Sequence, residues 1–186
     1  MDGAALSTGP IPGSGPAADD ATHRSVERFV FHEALILDRH AYSDWIPLLE
    51  EDFRYEVPVT ITRDNPALPS HSDSTFLVEE NRESLASLWA RRLEPDHIEF
   101  AWGENPLLRV RHFITNVSVF KTEKPDEVDV RANVLLSVVR QSDPVVMAPA
   151  ARADRLRRRR DTWALVRRTV YLDEAVVTLP HLRMII

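Results

Sequence analysis

The residues best suited to chemistry in this sequence are an acid, a histidine and two tyrosines. A curved sheet could bring Asp52, Tyr55, His112 and Tyr171 around one cavity, where a buried acid beside tyrosine donors can transfer protons, as in isomerase or dehydratase reactions. The same side chains are also typical of a packed interior whose polar tips are hydrogen-bonded, and that arrangement is the commoner one. The residue types alone leave both interpretations open.

Metal and nucleophile chemistry have weaker support. The seven histidines show no i, i+4 pair with an acid between them, the spacing typical of a helical metal site; they are His23, His32, His40, His71, His97, His112 and His181. Ser43, Ser70 and Ser84 lack the glycine-flanked turn of a nucleophilic serine. Cysteine is absent, which excludes disulfides, thiolate-bound clusters and cysteine nucleophiles. Four of the five glycines lie in the first fifteen residues, so no glycine-rich phosphate loop can form.

An arginine-rich stretch is the strongest local charge feature in a chain whose net charge is −6. Residues 151–168 contain eight arginines and two acids. Such a run could bind phosphates, but the aromatic residues typical of single-strand nucleic-acid binders are missing around it, since Trp163 stands alone. A solvated hairpin, or an arginine patch that pairs with acids across a subunit interface, is the more common arrangement.

The pattern of apolar residues predicts helices first and strands afterwards. The expected helices run from Thr22, as the capping residue, to about His40, over a short segment capped by Ser43, and from Thr75 to Leu93. Alternation from Phe53 to Thr62 predicts a strand, in which Pro58 indicates an edge or a bulge. A polar loop is expected from Thr62 to Ser74. The other predicted strands are Leu107 to Phe120, Val128 to Arg140, Val145 to Ala153 and Trp163 to Leu172.

These elements predict an α+β fold in which N-terminal helices pack on a curved antiparallel sheet. The length suits one domain, expected over residues 19–186, and residues 1–18, rich in glycine and proline, are expected to be a disordered tail. No segment has the apolar length of a membrane span and no secretory signal is recognisable, so the cytoplasm is the expected location.

The order of several short motifs resembles a known family. The first motifs are Phe31 to Asp38 (FHEALILD), Tyr42 to Trp45 (YSDW) and Leu48 to Tyr55 (LLEEDFRY). The later ones are Trp102 to Pro106 (WGENP), Arg111 to Val117 (RHFITNV), Val130 to Leu136 (VRANVLL), Ala151 to Arg158 (ARADRLRR), Leu165 to Asp173 (LVRRTVYLD) and Leu182 to Ile186 (LRMII). Together they resemble the β (small) subunits of Rieske-type aromatic ring-hydroxylating dioxygenases over the whole chain after the tail.

The resemblance implies a specific fold and function. The fold would be the cone-shaped α+β fold shared with nuclear transport factor two, scytalone dehydratase and ketosteroid isomerase. The chain would be a structural subunit without a cofactor of its own, assembled as a trimer with three large α subunits. The α subunit would hold the Rieske [2Fe–2S] cluster and the mononuclear iron that dihydroxylate the aromatic substrate. The lack of cysteine agrees with that division of labour.

Under this interpretation, nine residues are expected at subunit interfaces. Arginines would form interfacial ion pairs, and exposed apolar side chains would be buried against a neighbouring subunit. The set is Trp102, Leu107, Arg131, Arg140, Arg155, Arg158, Met184, Ile185 and Ile186. The alternative from the enzyme class is a stand-alone cone-fold isomerase or dehydratase with an internal acid/base pair, and nucleic-acid binding through the arginine run is a third hypothesis.

Overall fold

A computed structural model describes residues 15–65, 67–100, 105–141, 143–179 and 185–186 of the chain. Its α-helices are α1 (Asp20–Asp38), α2 (Tyr42–Trp45), α3 (Arg82–Ser84) and α4 (Pro95–Ile98). Three further helical segments are the 3₁₀ turns Ile46–Leu48 and Arg91–Leu93 and the π-helical segment Leu85–Ala90. The strands are β1 (Leu49–Thr60), β2 (His71–Asn81), β3 (Arg109–Lys121), β4 (Glu127–Val139), β5 (Val146–Arg159) and β6 (Thr162–Leu172).

The six strands form one sheet in the order β2-β1-β6-β5-β4-β3. All neighbouring pairs are antiparallel except β1 and β6, which run parallel. Helix α1 packs across one face of the sheet, mainly against β3 and also against β6. That face is called the inner face below, and the opposite face the outer face. The α+β prediction, with an N-terminal helix on an antiparallel-rich sheet, is confirmed.

Helix α1 has the predicted apolar spacing but a different cap. Its buried apolar residues are Val26, Phe29, Val30, Ala34 and Leu37, all on one helix face. The N-cap is Asp19, whose carboxylate accepts hydrogen bonds from the backbone N–H and the hydroxyl of Thr22. The prediction of Thr22 as the cap is therefore wrong. The Ser43 cap is also wrong, because Ala41 precedes α2 without a side-chain cap.

The predicted helix from Thr75 to Leu93 is wrong in its first half. Residues His71–Asn81 form strand β2, which pairs with β1, and helical structure begins only at Arg82. Asn81 caps it by accepting a hydrogen bond from the backbone N–H of Ser84. The run of threonine, phenylalanine, leucine and valine before Glu79 has high strand propensity, and pairing with the non-local β1 decides the conformation.

The other strands follow the predicted alternation. Pro58 lies in β1, between β2 and β6, and the β1–β2 register shifts on both sides of it, so it marks a bulge rather than an edge. Every even-numbered residue of β4 from Val128 to Val138 is buried, as predicted. Strand β5 extends to Arg159, beyond the predicted end at Ala153, and a turn at residues 160–161 joins it to β6. The arginine run therefore lies along a β5–β6 hairpin, and the expected solvated hairpin holds for its exposed tip, residues 158–160.

Part of the segment expected as a tail contacts β3. The backbone N–H of Ala18 donates to the carbonyl of Val119, and that of Lys121 donates to the carbonyl of Pro16. Gly15 approaches the carbonyl oxygen of Lys121 so closely that a β-carbon would overlap it. Residues 1–14 lie outside the described residues.

Candidate functional site: the interior of the sheet

Four charged side chains lie fully inside the fold, between α1 and the inner face of the sheet. Glu33 comes from α1, Arg152 and Asp154 from β5, and Arg168 from β6. Arg168 donates from Nε to Asp154 Oδ1 at 2.9 Å and from Nη2 to Asp154 Oδ2 at 3.0 Å, which is a bidentate pair. Its Nη2 also donates to Glu33 Oε2 at 2.7 Å. The network therefore joins the helix to two central strands.

The contacts of Arg152 are ion pairs without hydrogen bonds: its Nε and Nη2, like Nη1 of Arg168, are buried and have no hydrogen-bond partner among the described residues. Arg152 lies 3.1 Å from Asp154 Oδ2 through Nε and 3.6 Å from Glu33 Oε2 through Nη2. The second oxygen of Glu33 accepts a hydrogen bond from the indole N–H of Trp45 in α2, at 2.8 Å. Two carboxylates thus face two guanidinium groups, so the formal charges of the cluster cancel.

The electrostatics of the network favour its charged state. Burial alone would raise the pKa of Glu33, but the charges of Arg168 and Arg152 and the bonds from Arg168 and Trp45 outweigh it and lower that pKa to about 2. Burial would likewise lower the pKa of Arg168, yet Asp154 and Glu33 raise it above its ordinary value. Burial and the charge of Arg168 lower the pKa of Arg152. Glu33 and Arg168 therefore remain charged at neutral pH.

Residues 185 and 186 fill the interior beside this network. Ile185 and Ile186 are each 1 % exposed. The backbone N–H of Ile186 donates to the hydroxyl of Tyr55 at 3.2 Å, and the carbonyl of Ile185 lies 2.7 Å from Nε2 of His112. Burial raises the pKa of Tyr55 to about 12, so its hydroxyl stays protonated at neutral pH.

His112 is fixed from both sides. Its Nδ1 lies 2.8 Å from Asp38 Oδ1, and its backbone N–H donates to the same oxygen at 2.9 Å. Both ring nitrogens thus face oxygen atoms, Nδ1 a carboxylate oxygen and Nε2 a backbone carbonyl. Burial opposes ionisation of Asp38, but the hydrogen bonds from His112 outweigh it and lower the pKa of Asp38. His112 therefore ties the end of α1, strand β3 and residue 185 together.

The structure does not bring together the four residues considered for acid/base chemistry. Tyr55 and His112 lie inside, both bonded to the backbone of residues 185–186. Asp52 is exposed in β1. Tyr171 is half-buried among residues of the outer face, where its ring meets that of His71 edge-on at 5.1 Å. The packed interpretation holds for Tyr55 and His112, and the converging acid/base set is wrong.

The arginine run divides between the two faces of the sheet. Arg152 points inward, whereas Arg155 pairs with Asp129 at 2.9 Å and Arg157 pairs with Glu127 at 2.8 Å. In the same outward row, Arg159 Nε donates to Glu50 Oε1 at 2.8 Å. The charges of the run are thus largely matched by carboxylates of the same chain. A continuous basic surface for nucleic acid, the third hypothesis, has no support in this arrangement.

The residues expected at interfaces have several environments. Trp102 and Met184 lie outside the described residues. Leu107 is 48 % exposed, as expected for a contact residue, whereas Ile185 and Ile186 are buried within the chain, so their expected exposure is wrong. Arg140 directly follows β4 and is partly exposed.

Three more arginines of that set contact groups inside the chain. The guanidinium of Arg131 lies over the ring of Phe120 at 5.4 Å, and that of Arg158 over the ring of Trp163 at 4.3 Å. Arg155 pairs with Asp129 and keeps 42 % of its side chain exposed. These contacts leave Arg131 and Arg155 on the outer face of the sheet.

Sequence reasoning missed the importance of Glu33, Asp154 and Arg168. A usable signal was present in β5, where alternate residues lie on the same face of the strand. On the inner face these are Ala148, Ala150, Arg152, Asp154 and Leu156. Charges in register with buried apolar residues indicate an inward-facing ion pair. Nothing local identified Glu33 as their partner, because 135 positions separate it from Arg168.

The chain has no side chains suited to a Rieske cluster, which requires cysteine ligands, since it contains no cysteine. Across the described ranges no three His, Asp or Glu side chains form a group that could hold a metal ion. No helix in the same ranges is long and apolar enough to cross a membrane.

Comparison with known proteins identifies the class. Residues 32–179 match the family model described as ring hydroxylating beta subunit. The chain therefore belongs to the β-subunit family of ring-hydroxylating oxygenases, and the resemblance seen in the sequence is confirmed.

Solved structures agree with this assignment. A chain of naphthalene 1,2-dioxygenase, in a structure with indole bound in the active site, is 25 % identical, with a TM-score of 0.76, and the alignment covers 90 % of this chain and 86 % of that one. The beta subunit of the benzoate 1,2-dioxygenase of Burkholderia mallei is 21 % identical, with a TM-score of 0.65 and coverages of 90 % and 97 %. An NTF2-like protein with a cystatin-like fold from Novosphingobium aromaticivorans is 16 % identical, with a TM-score of 0.53 and coverages of 82 % and 82 %, which shows a shared fold.

Proposed function

We propose that this chain is the non-catalytic structural subunit of an aromatic ring-hydroxylating dioxygenase. It would assemble as a trimer with three large α subunits in a cytoplasmic hexamer. The α subunits would carry the Rieske cluster and the mononuclear iron and would dihydroxylate an aromatic substrate in aromatic-compound catabolism. The family assignment supports the class of assembly. The proposed non-catalytic role of this chain is supported by the contacts in its interior.

The observation that carries the proposal is the filled interior. Among the described residues, the interior side chains that could serve acid/base chemistry already have partners. Tyr55 and His112 contact the backbone of residues 185–186, and the four charges are paired with one another. A catalytic acid or base needs access to substrate and a pKa near the working pH. Because these groups are buried and paired, the stand-alone isomerase or dehydratase alternative is not favoured.

The test is co-expression of the chain with the large-subunit gene of its own operon or genome, followed by iron analysis and native mass determination. We expect an iron-free small chain on its own and an iron-bearing complex with equal numbers of the two chains. Tyr55→Phe and His112→Gln should leave turnover of the folded complex unchanged. Failure of the wild-type chain to copurify with any large subunit would refute the proposal, and so would isomerase or dehydratase activity of the chain alone.

A further inference from the structure

The two guanidinium groups of the interior network have N–H donors without a hydrogen-bond acceptor among the described residues. In Arg152 these donors are Nε and Nη2, and in Arg168 the donor is Nη1. The side chain of Arg152 is 1 % exposed, so these atoms are closed off from bulk solvent. Buried polar groups are nearly always hydrogen-bonded, to protein or to an internal water, because an unpaired one loses its hydration without compensation. The unpaired donors therefore indicate a further acceptor inside the fold.

The two unpaired donors of Arg152 lie on one edge of its guanidinium group. Nε and Nη2 are the pair of atoms with which Arg168 makes its bidentate contact to Asp154, so they point to the same side of the planar group. In Arg152, Asp154 Oδ2 lies 3.1 Å from Nε but off the N–H direction, and Glu33 Oε2 is too distant from Nη2, at 3.6 Å. Two parallel donors thus lie beside two carboxylate oxygens without bonding to them.

Both of these carboxylate oxygens can accept a further hydrogen bond. Each accepts one bond from Nη2 of Arg168, at 3.0 Å for Asp154 Oδ2 and at 2.7 Å for Glu33 Oε2. A carboxylate oxygen has about two acceptor positions. A molecule at the free edge of Arg152 would therefore meet two donors and two remaining acceptor positions. The ligand that suits this place accepts two hydrogen bonds and donates two.

The charges of the network decide which small ligand fits. The formal charges of the four side chains cancel, so chloride or another small anion would leave a net negative charge in the interior. The anion would also lie next to Asp154 Oδ2 and Glu33 Oε2, whose negative charge repels it. Water is neutral, accepts two hydrogen bonds and donates two, and buried waters typically make about three hydrogen bonds. The chemistry of the site therefore favours water.

We propose that the interior network binds one structural water molecule at the Nε–Nη2 edge of Arg152. The water accepts hydrogen bonds from both nitrogens and donates to Asp154 Oδ2 and Glu33 Oε2. It thereby links β5 to α1 through Arg152, whereas Arg168 bonds the same two carboxylates directly. The site lies wholly within one chain, so it goes beyond the proposed function and does not depend on the assembly in which the chain works.

The first test is a crystal structure of the full-length chain, grown in sodium bromide and recorded at the bromine absorption edge at a resolution that shows ordered water. We expect a density peak within hydrogen-bond distance of Arg152 Nε and Nη2, without an anomalous signal. A bromine signal at that position would overturn the water in favour of an anion. No peak there, or an oxygen of the chain bonded to both nitrogens, would overturn the site itself.

The second test measures the Nε–H protons in solution by ¹⁵N-edited NMR of the wild-type chain. The Nε–H of Arg168 donates to Asp154 and is the matched control within the same network. We expect a through-space cross peak to water from the Nε–H of Arg152 and none from that of Arg168. No cross peak from Arg152, or equal cross peaks from both protons, would contradict a water bound at this edge.

A pair of variants tests which group holds the water. Arg152→Met should remove the density peak, whereas Arg155→Met, which removes a partly exposed arginine of the outer face, should leave it in place. A peak that persists in Arg152→Met would overturn the proposal, because other groups would then bind the water. If Arg152→Met does not fold, the two wild-type measurements decide. The proposed function is tested separately, by copurification of the wild-type chain with an iron-bearing large subunit.

Discussion

Replacing Glu33 by glutamine tests whether the buried ion network holds α1 on the sheet. The variant keeps the size of the side chain and one acceptor oxygen for Arg168 or Trp45, but it leaves two buried guanidinium groups with only Asp154 as a charged partner. Removing one member of a buried pair costs about 3–5 kcal/mol, mainly because a charge remains uncompensated. We therefore expect a large loss of stability from a change of a few atoms.

The pKa of Glu33 gives an independent magnitude. Each tenfold change in a proton equilibrium corresponds to about 1.4 kcal/mol, so lowering the pKa from 4.5 to about 2 on folding contributes on the order of 3–4 kcal/mol. Glu33 is fully buried, so solvent screening does not reduce this value. For Glu33→Gln at pH 7 we therefore expect a cost on the order of 3 kcal/mol.

The sign of the pH dependence follows from the direction of that pKa. Because the folded pKa lies below the ordinary value, the stabilisation is fully present above pH 4.5 and is lost as the pH falls through about 2. Glutamine does not titrate, so the variant lacks this contribution at every pH. The difference in stability between wild type and variant should therefore be constant near neutrality and shrink steadily in acid.

The measurement is the free energy of unfolding in urea for wild type and Glu33→Gln between pH 7 and pH 2.5. The carboxylates outside the network are common to both proteins, so their titration cancels in the difference. Glu27→Gln, a change of the same chemistry at a half-buried position of α1, is the matched control and should cost less than about 1 kcal/mol. A Glu33→Gln cost below 1 kcal/mol at pH 7, or a difference that does not change with pH, would refute the reasoning.

Four further substitutions, in three experiments, test other contacts of the fold. Tyr55→Phe should cost about 1 kcal/mol in urea unfolding, because the backbone N–H of Ile186 loses its acceptor, and an unchanged stability would contradict that bond. Gly15→Ala should accelerate amide hydrogen exchange of Ala18 and Lys121, since the new methyl group overlaps the Lys121 carbonyl oxygen, while the free energy of unfolding changes by less than about 1 kcal/mol. Arg152→Gln should lower the free energy of unfolding by about 3 kcal/mol or more, because Arg152 is a buried charge. Arg155→Gln should lower it by less than about 1 kcal/mol, because the Arg155–Asp129 pair is partly exposed. Equal costs would contradict the placement of Arg152 on the inner face and Arg155 on the outer face.

Sequence patterns predicted the elements whose two faces differ most. Strand β4 alternates between buried aliphatic residues and more exposed ones, so period two was visible without any tertiary information. The buried face of α1 was equally clear. Strand β2 was missed because it is an edge strand with mostly exposed residues, and Glu79 and Glu80 beside a later helix imitate a helix start.

The interior network was hidden for a different reason. Its members lie on α1, β5 and β6, and only the folded sheet brings Glu33 within 2.7 Å of Arg168. From composition alone, the arginines of the run look like one basic block. In the strand, however, Arg152 points to the inner face and Arg155 to the outer face, because they are an odd number of residues apart. Residues 185–186 posed the same problem, since an apolar end segment can equally fill the chain's own interior or cover a neighbour.

The internal pairing of charges bears on why such residues occupy the core of a structural subunit. A buried ion pair is weak support for stability, because apolar residues of the same volume often stabilise as well or better. The network does fix the position of α1 along the sheet. Glu33 can bond to both Arg168 of β6 and Trp45 of α2 only in one position of the helix. Asp38 and His112 fix the other end of the same helix against β3. With both ends bonded, α1 is held in one position on the sheet, because displacing it would break the contacts of Glu33 and of Asp38 together.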